Sequence, residues 1–241
     1  MLGLQASIGA VNDLVDEPVD RGRKPGKPLS RGAVTVGEAR LVAALALVAG
    51  LVLAALSGPA TLAVAAVGTA LGYAYDLRLS RTAWSWLPLA LALPLVPAYA
   101  WLGGVGTLPE GFAAVGPAAL LGGAGLALGN GIVDEERDRA AGIASAVVRL
   151  GRRRAWLVHA VCLTGLVGVA WLFARRPADA SLGLVTVGLA VGTGVIALGV
   201  VLAGRSSPLV RERGWEVEAL GVTMLGVAWL AGLAAPAIAP G

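Results

Sequence analysis

Asn12, Asp16 and Asp20 fall four residues apart in NDLVDEPVDR, and Asn130, Asp134 and Asp138 repeat the pattern in NGIVDEERDR. The stretches 12–21 and 130–139 align without a gap. Asn12/Asn130, Val15/Val133, Asp16/Asp134, Glu17/Glu135, Asp20/Asp138 and Arg21/Arg139 are identical. On a helix, residues four apart share a face, so each trio presents its oxygens on one side. Like charges at that spacing weaken a helix by roughly a few tenths of a kcal/mol, and the negative end of the helix dipole makes matters worse near a C-terminus. A bound cation reverses the sign of both effects. Hard Asp and Asn oxygens suit Mg2+, which takes one or two carboxylates and fills its other positions with water and substrate phosphate. Asn12, Asp13, Asp16, Asp20, Asn130, Asp134 and Asp138 are therefore the candidate metal ligands, with Asp13 supporting the first group from a neighbouring face. Two such clusters facing each other would hold two or more Mg2+ ions around a diphosphate. Basic residues of the same loops would neutralise the remaining phosphate oxygens.

These polar groups must be positioned by a chain that is otherwise apolar. Of 241 residues, 57% are hydrophobic and 14% charged, with a mean hydropathy of +0.78. Soluble domains carry about 25% charged residues, so the composition points to a membrane protein. Apolar runs near the roughly 20 residues needed to cross a bilayer fall at 34–57, 58–75, 84–104, 108–133, 151–174, 178–204 and 214–240, with a shorter piece at 1–12. The expected fold is all-α: a polytopic transmembrane helical bundle with seven full spans and a short N-terminal helix. LSGPA, joining the first two runs, reads as the turn of a helical hairpin. Gly125 with Gly129, and Gly188 with Gly192, have the spacing of close helix contacts.

The net charge of +4 is mainly a topology signal and not a nucleic-acid footprint. When loops alternate between the two sides, every basic residue except Arg175 and Arg176 falls on the side of the first motif. The positive-inside rule makes that side cytoplasmic, and the protein is expected in the plasma membrane. A single cysteine, Cys162, excludes an internal disulfide and any multi-cysteine metal site. The first twelve residues lack the basic start of a signal peptide.

The segment NDLVDEPVDRGRKPGKPLSRG resembles the first Asp-rich motif of the UbiA superfamily of intramembrane prenyltransferases, with its basic, Pro-containing tail. NGIVDEERDRAAG, followed by VVRLG, is similar to the second motif, and YAYDLRLSRTAWSWLP to the family's Tyr-containing loop. The resemblance implies a single prenyltransferase domain over 1–241, in which nine helices surround a central cavity and the motifs follow helices two and six. Residues 1–12 then end helix two and 108–133 form helix six. Helix one and part of helix two are missing by that numbering, so the domain is expected to be truncated at its N-terminus. Gly131 stands where the second motif often has Asp. The loop's basic residue falls near Ser80, with Arg81 one position on, and Pro18 is expected to break the helix between Asp16 and Asp20.

The implied reaction moves a prenyl group from an isoprenyl diphosphate to a small hydrophobic or aromatic acceptor, as in quinone or related lipid biosynthesis. Diphosphate leaves once Mg2+ and basic clamps neutralise its developing charge. A dry, apolar cavity shields the allylic cation, and the faces of Tyr73, Tyr75, Trp84 or Trp86 are placed to stabilise it. Asp16, Asp20, Asp134 and Asp138 are the expected catalytic carboxylates. Arg21, Lys24, Arg81 and Arg139 are the diphosphate clamps, and Tyr75 orients substrate. His159 and Cys162 are read as packing residues, Glu216 and Glu218 as interfacial, and GRRRAW (151–156) as an anionic-lipid contact. Three other readings remain open at this point: a terpene cyclase of the same fold, an inactive relative, and a membrane transporter. The last is disfavoured because the acids gather at one membrane face and not at midplane.

Overall fold

The structure, a computed structural model, describes residues 1–20, 26–174 and 181–234. Among the described residues it is helical throughout, without strands, and seven helical stretches are long and apolar enough to cross a membrane. The helices group into two compact units, Met1–Ser80 with Leu95–Leu108, and Arg81–Pro94 with Pro109–Gly241.

The first unit holds α1 (Leu2–Asp20), α2 (Val36–Leu56) and α3 (Pro59–Leu77). The capping box at the start of α2 is reciprocal: the Thr35 hydroxyl accepts from Glu38 N at 3.2 Å, and the Glu38 carboxylate accepts from Thr35 N at 2.8 Å. The expected hairpin between α2 and α3 turns at Gly58, whose φ of +121° excludes most side chains, and Pro59 then opens α3. The N-terminal helix packs on both neighbours through glycines. A Cβ on Gly50 would lie 2.6 Å from Leu4 Cδ2, and one on Gly72 would lie 2.7 Å from Ile8 Cδ1. Such small-residue contacts suit lipid, where helices gain little from hiding apolar surface.

In the apolar stretch 84–104, α4 (Leu87–Ala92) belongs to the second unit and α5 (Leu95–Gly104) to the first. The helix is interrupted at Leu93–Pro94, where proline supplies no backbone N–H.

The second unit continues with α6 (Val115–Ala140), α7 (Ala146–Leu150), α8 (Arg152–Phe173), α9 (Ser181–Ala203) and α10 (Pro208–Ala234). Here α9 and α10 pack almost backbone to backbone. A Cβ on Gly192 would meet Leu225 N at 2.7 Å, and one on Gly188 would meet Ala228 Cβ at 2.6 Å. Gly125 and Gly129 of α6 likewise face Leu163 and the His159–Trp215–Glu218 group. A core of Leu163, Leu166, Leu189, Ile196, Leu225 and Trp229 binds α8, α9 and α10.

Four sequence expectations are corrected. The N-terminal helix runs to Asp20 and not to about residue 12. Pro18 lies in its last turn, where the loss of one amide does not end the helix. The fourth span likewise extends past residue 133 to Ala140, so the second motif rides within α6. It stops in a Schellman arrangement: Gly142 has φ +69°, Ile143 N donates to Asp138 O at 2.9 Å, and Gly142 N donates to Arg139 O at 3.2 Å. The last span begins at Pro208, ahead of residue 214.

Candidate functional site

In the first unit, α1 presents Asn12, Asp13 and Asp16 to a single cation, the ammonium of Lys27. Its Nζ lies 3.0 Å from Asp13 Oδ1, 3.5 Å from Asp16 Oδ2 and 3.4 Å from Asn12 Oδ1. Lys27 comes from the turn after α1. That turn is closed by Arg31 N to Lys27 O at 3.2 Å and Ala33 N to Pro28 O at 3.0 Å, and is anchored by buried Leu29. No basic residue occupies the last turn of α1, so Lys27 offsets both the carboxylate repulsion and the negative helix end. The Asp20 side chain, Arg21 and Lys24 lie outside the described residues.

Behind Asn12 stands Asp76 of α3, which is 5% exposed and accepts from Asn12 Nδ2 at 3.0 Å. Its other oxygen, Oδ2, is buried without a hydrogen-bond partner among the described residues. The sequence reading missed Asp76 and gave Lys27 only a topology role. Tyr75, its neighbour on α3, is partly buried. Tyr73 is engaged elsewhere: Ser7 Oγ donates to Ala43 O at 2.6 Å, which leaves the Tyr73 hydroxyl to donate to Ser7 at 2.7 Å.

In the second unit, Asn130, Asp134 and Asp138 are partly buried on α6. Asp134 pairs with Arg137 at 2.7 Å. The intervening acids face another way and form a network. Glu135, 4% exposed, accepts from Arg139 at 2.7 Å and from Arg152 at 2.6 Å. Glu136 accepts from Arg152 at 2.5 Å and binds both oxygens to Arg211 Nη2, at 2.7 and 2.6 Å. Arg211 is fully buried and also donates to Ser206 O at 2.6 Å. The network ties α6 to α8 and α10 through the residues between the motif's oxygen donors, and so fixes the rotation of α6 about its axis.

Arg139, expected as a clamp, is held by Glu135 in this arrangement. Arg152 of the expected lipid-contact run is likewise committed to Glu135 and Glu136, while Arg153 and Arg154 remain exposed. Arg81 is exposed at the end of a 3-10 turn, Leu79–Arg81. Trp86 packs on the Leu128–Ile132–Val147 cluster, and Trp84 is exposed. Gly131 packs against α7: a Cβ there would lie 2.6 Å from Val147 Cγ2.

His159 packs as expected, but Glu218 is fully buried and not interfacial. His159 Nε2 lies 3.0 Å from Glu218 Oε1, and Nδ1 lies 2.8 Å from Gly125 O. Glu218 is enclosed by protein on all sides, so only an internal partner can satisfy its carboxylate. Among the described residues no three His, Cys, Asp or Glu side chains converge closely enough to hold a metal alone. An ion with one or two carboxylates, an amide oxygen, water and substrate phosphate needs no such trio.

Comparison with known proteins fits this picture. The model of the UbiA prenyltransferase family matches residues 1–214. A digeranylgeranylglyceryl phosphate synthase of Methanoculleus marisnigri is 32% identical over 79 residues, which cover 33% of this chain and only 28% of that relative. A UbiA homologue from Aeropyrum pernix shares the fold with a TM-score of 0.75, at 20% identity over 95% of this chain and 85% of the other. A homologue from Archaeoglobus fulgidus, solved with GPP and Mg2+, superposes with a TM-score of 0.70, at 21% identity over 95% of this chain and 84% of the other. With seven apolar helices and a family match over most of its length, this multi-pass membrane protein belongs to the UbiA prenyltransferase family.

Proposed function

We propose that the protein transfers a prenyl group from an isoprenyl diphosphate to an acceptor, with Mg2+ at the Asp-rich segments assisting departure of the diphosphate. The observation that carries this reading is the cation held by the first motif: Asn12, Asp13 and Asp16 already direct three oxygens at the Lys27 ammonium. Amide and carboxylate oxygens are the donors that Mg2+ takes, so the residues fit the ion. Bound there, Mg2+ would neutralise charge developing on the departing diphosphate. Asn12, Asp13, Asp16 and Asp20 are the proposed Mg2+ ligands of the first motif, and Asn130, Asp134 and Asp138 those of the second. Arg21, Lys24, Arg81 and Arg139 would bind phosphate oxygens, Arg139 by exchanging its partner Glu135. Tyr75 would orient the substrate beside the first motif. The A. fulgidus homologue with GPP and Mg2+ supports the donor and the ion.

For the acceptor, an aromatic ring of quinone biosynthesis is the first reading. The similarity to a digeranylgeranylglyceryl phosphate synthase favours a second, a glyceryl phosphate lipid. The distribution of basic residues supports a plasma-membrane protein with both motifs on the cytoplasmic side. The test supplies purified protein in lipid with Mg2+ and labelled geranylgeranyl diphosphate, and offers 4-hydroxybenzoate or geranylgeranylglyceryl phosphate. Label in one acceptor with equimolar diphosphate release supports transfer and selects the acceptor class. Diphosphate release with a cyclic hydrocarbon instead identifies a cyclase, and no release in either case refutes the proposal.

A further inference from the structure

The motif pattern does not account for Asp76. It is a carboxylate 5% exposed near the end of α3, with one oxygen on Asn12 and the other buried and unpartnered among the described residues. Burying such a group is costly, and an unsatisfied oxygen in that position calls for a role. Its hydrogen bond has a definite consequence for Asn12. A carboxylate on one side accepts, and the Lys27 ammonium on the other can only donate. Asn12 must therefore turn its NH2 toward Asp76 (3.0 Å) and its Oδ1 toward Lys27 Nζ (3.4 Å). The amide is thereby set with its oxygen on the same side as the Asp13 and Asp16 carboxylates. All three oxygens point at one positive charge.

We propose that Asp76 is a positioning residue of the first motif, turning the Asn12 amide so that Oδ1 faces the cation. Lys27, in the same device, is a tethered cation that holds these oxygens until a divalent ion takes its place. The proposal rests on the reading of Asn12, Asp13 and Asp16 as metal ligands. Lys27 is suited to both states: it sits on a turn outside the helix, and its four-carbon stem lets the ammonium withdraw without moving the backbone. With Nζ in place, Mg2+ must displace a unit charge to bind. Without it, the acids repel one another and attract the ion more strongly.

The experiment titrates Mg2+ alone into the full chain in lipid nanodiscs by calorimetry, without prenyl diphosphate, and records thermal melting with and without the ion. Asp76→Asn keeps the shape but lets the amides mispair; it is expected to weaken Mg2+ binding about tenfold or more, as loss of an outer-shell partner does. Its metal-free melting stays close to that of the parent protein. Lys27→Met removes the competitor and is expected to tighten Mg2+ binding about tenfold, a change of about 1.4 kcal/mol. Its metal-free melting falls, and its rise in melting temperature on adding Mg2+ is larger. Asp16→Asn serves as the reference and is expected to abolish binding. If it does, and either Asp76→Asn or Lys27→Met binds Mg2+ as the parent does, the proposal is overturned while the metal-site reading stands. If Asp16→Asn itself binds normally, the metal-site reading fails and the proposal with it.

Discussion

Replacing Glu218 with Gln and with Ala should have very different consequences, because the buried His159–Glu218 pair is held by a hydrogen bond and not by net charge. Gly125 O can only accept, so His159 Nδ1 carries a proton on that side at 2.8 Å. One further proton then lies between Nε2 and Glu218 Oε1, 3.0 Å apart, and the pair is neutral whichever atom holds it. In Glu218→Gln the amide NH2 donates to a neutral Nε2, and neither shape nor net charge changes. The cost should stay below about 1 kcal/mol, the scale of one hydrogen bond between membrane helices. Glu218→Ala removes the partner of a ring that is 0% exposed and leaves a void beside Gly129, Gly199 and Trp215. Leaving the buried His159 nitrogen unpaired costs about 1–2 kcal/mol and the cavity about 1–2 kcal/mol more, roughly 2–4 kcal/mol together. For a chain of this size that corresponds to a fall of about 5–15 °C in melting temperature. The assay is thermal unfolding in matched nanodiscs, followed by intrinsic tryptophan fluorescence. If Gln and Ala destabilise equally, an ion pair holds α8 to α10 and the hydrogen-bond account is wrong.

Two further predictions concern the packing around the second motif. Glu136→Ala removes the carboxylate from the fully buried Arg211 guanidinium and leaves it only backbone carbonyls such as Ser206 O; it should cost about 3 kcal/mol, part of which the double variant Glu136→Ala/Arg211→Met recovers. A double-mutant melting cycle measures that coupling, and strict additivity would show that the two residues act independently. Gly199→Ala should disrupt the α9–α10 contact by about 1–3 kcal/mol, because its Cβ would lie 2.8 Å from both Glu218 N and Gly214 O, backbone atoms that cannot rotate away. Gly194→Ala, with nothing within 4 Å of the added carbon, is the control and should melt like the parent.

The membrane spans and the two Asp-rich segments were legible in the sequence for different reasons. Spans announce themselves by apolar length. The motifs stand out because Asn, Asp and Arg recur in register in a chain otherwise made of Ala, Leu, Val and Gly. Helix ends were harder to place. Residues 13–20 and 134–140 are polar, so hydropathy stops before them, while the backbone continues to Asp20 and Ala140. The partners of the motif residues were harder still. Asp76 has no echo elsewhere in the chain, and Lys27 is one base among many until the turn at Leu29 folds it back on α1. Glu218 and Arg211 look interfacial in one dimension because they fall near a polar boundary. Their burial follows only from the glycine-lined approach of α9, and from His159 and Glu136 arriving from distant helices. A repeated spacing reveals ligands in the sequence, whereas the residues that orient those ligands carry no spacing of their own.

Whether Asp16 and Asp134 both serve Mg2+-dependent departure of diphosphate is decided by release of diphosphate from a prenyl diphosphate. The measurement compares the parent protein with Asp16→Asn and Asp134→Asn across a Mg2+ titration in lipid. Each variant should lose about a hundredfold or more in kcat, the scale of removing one group that stabilises developing charge. Mg2+-dependent release at the parent rate in either single variant would contradict the account.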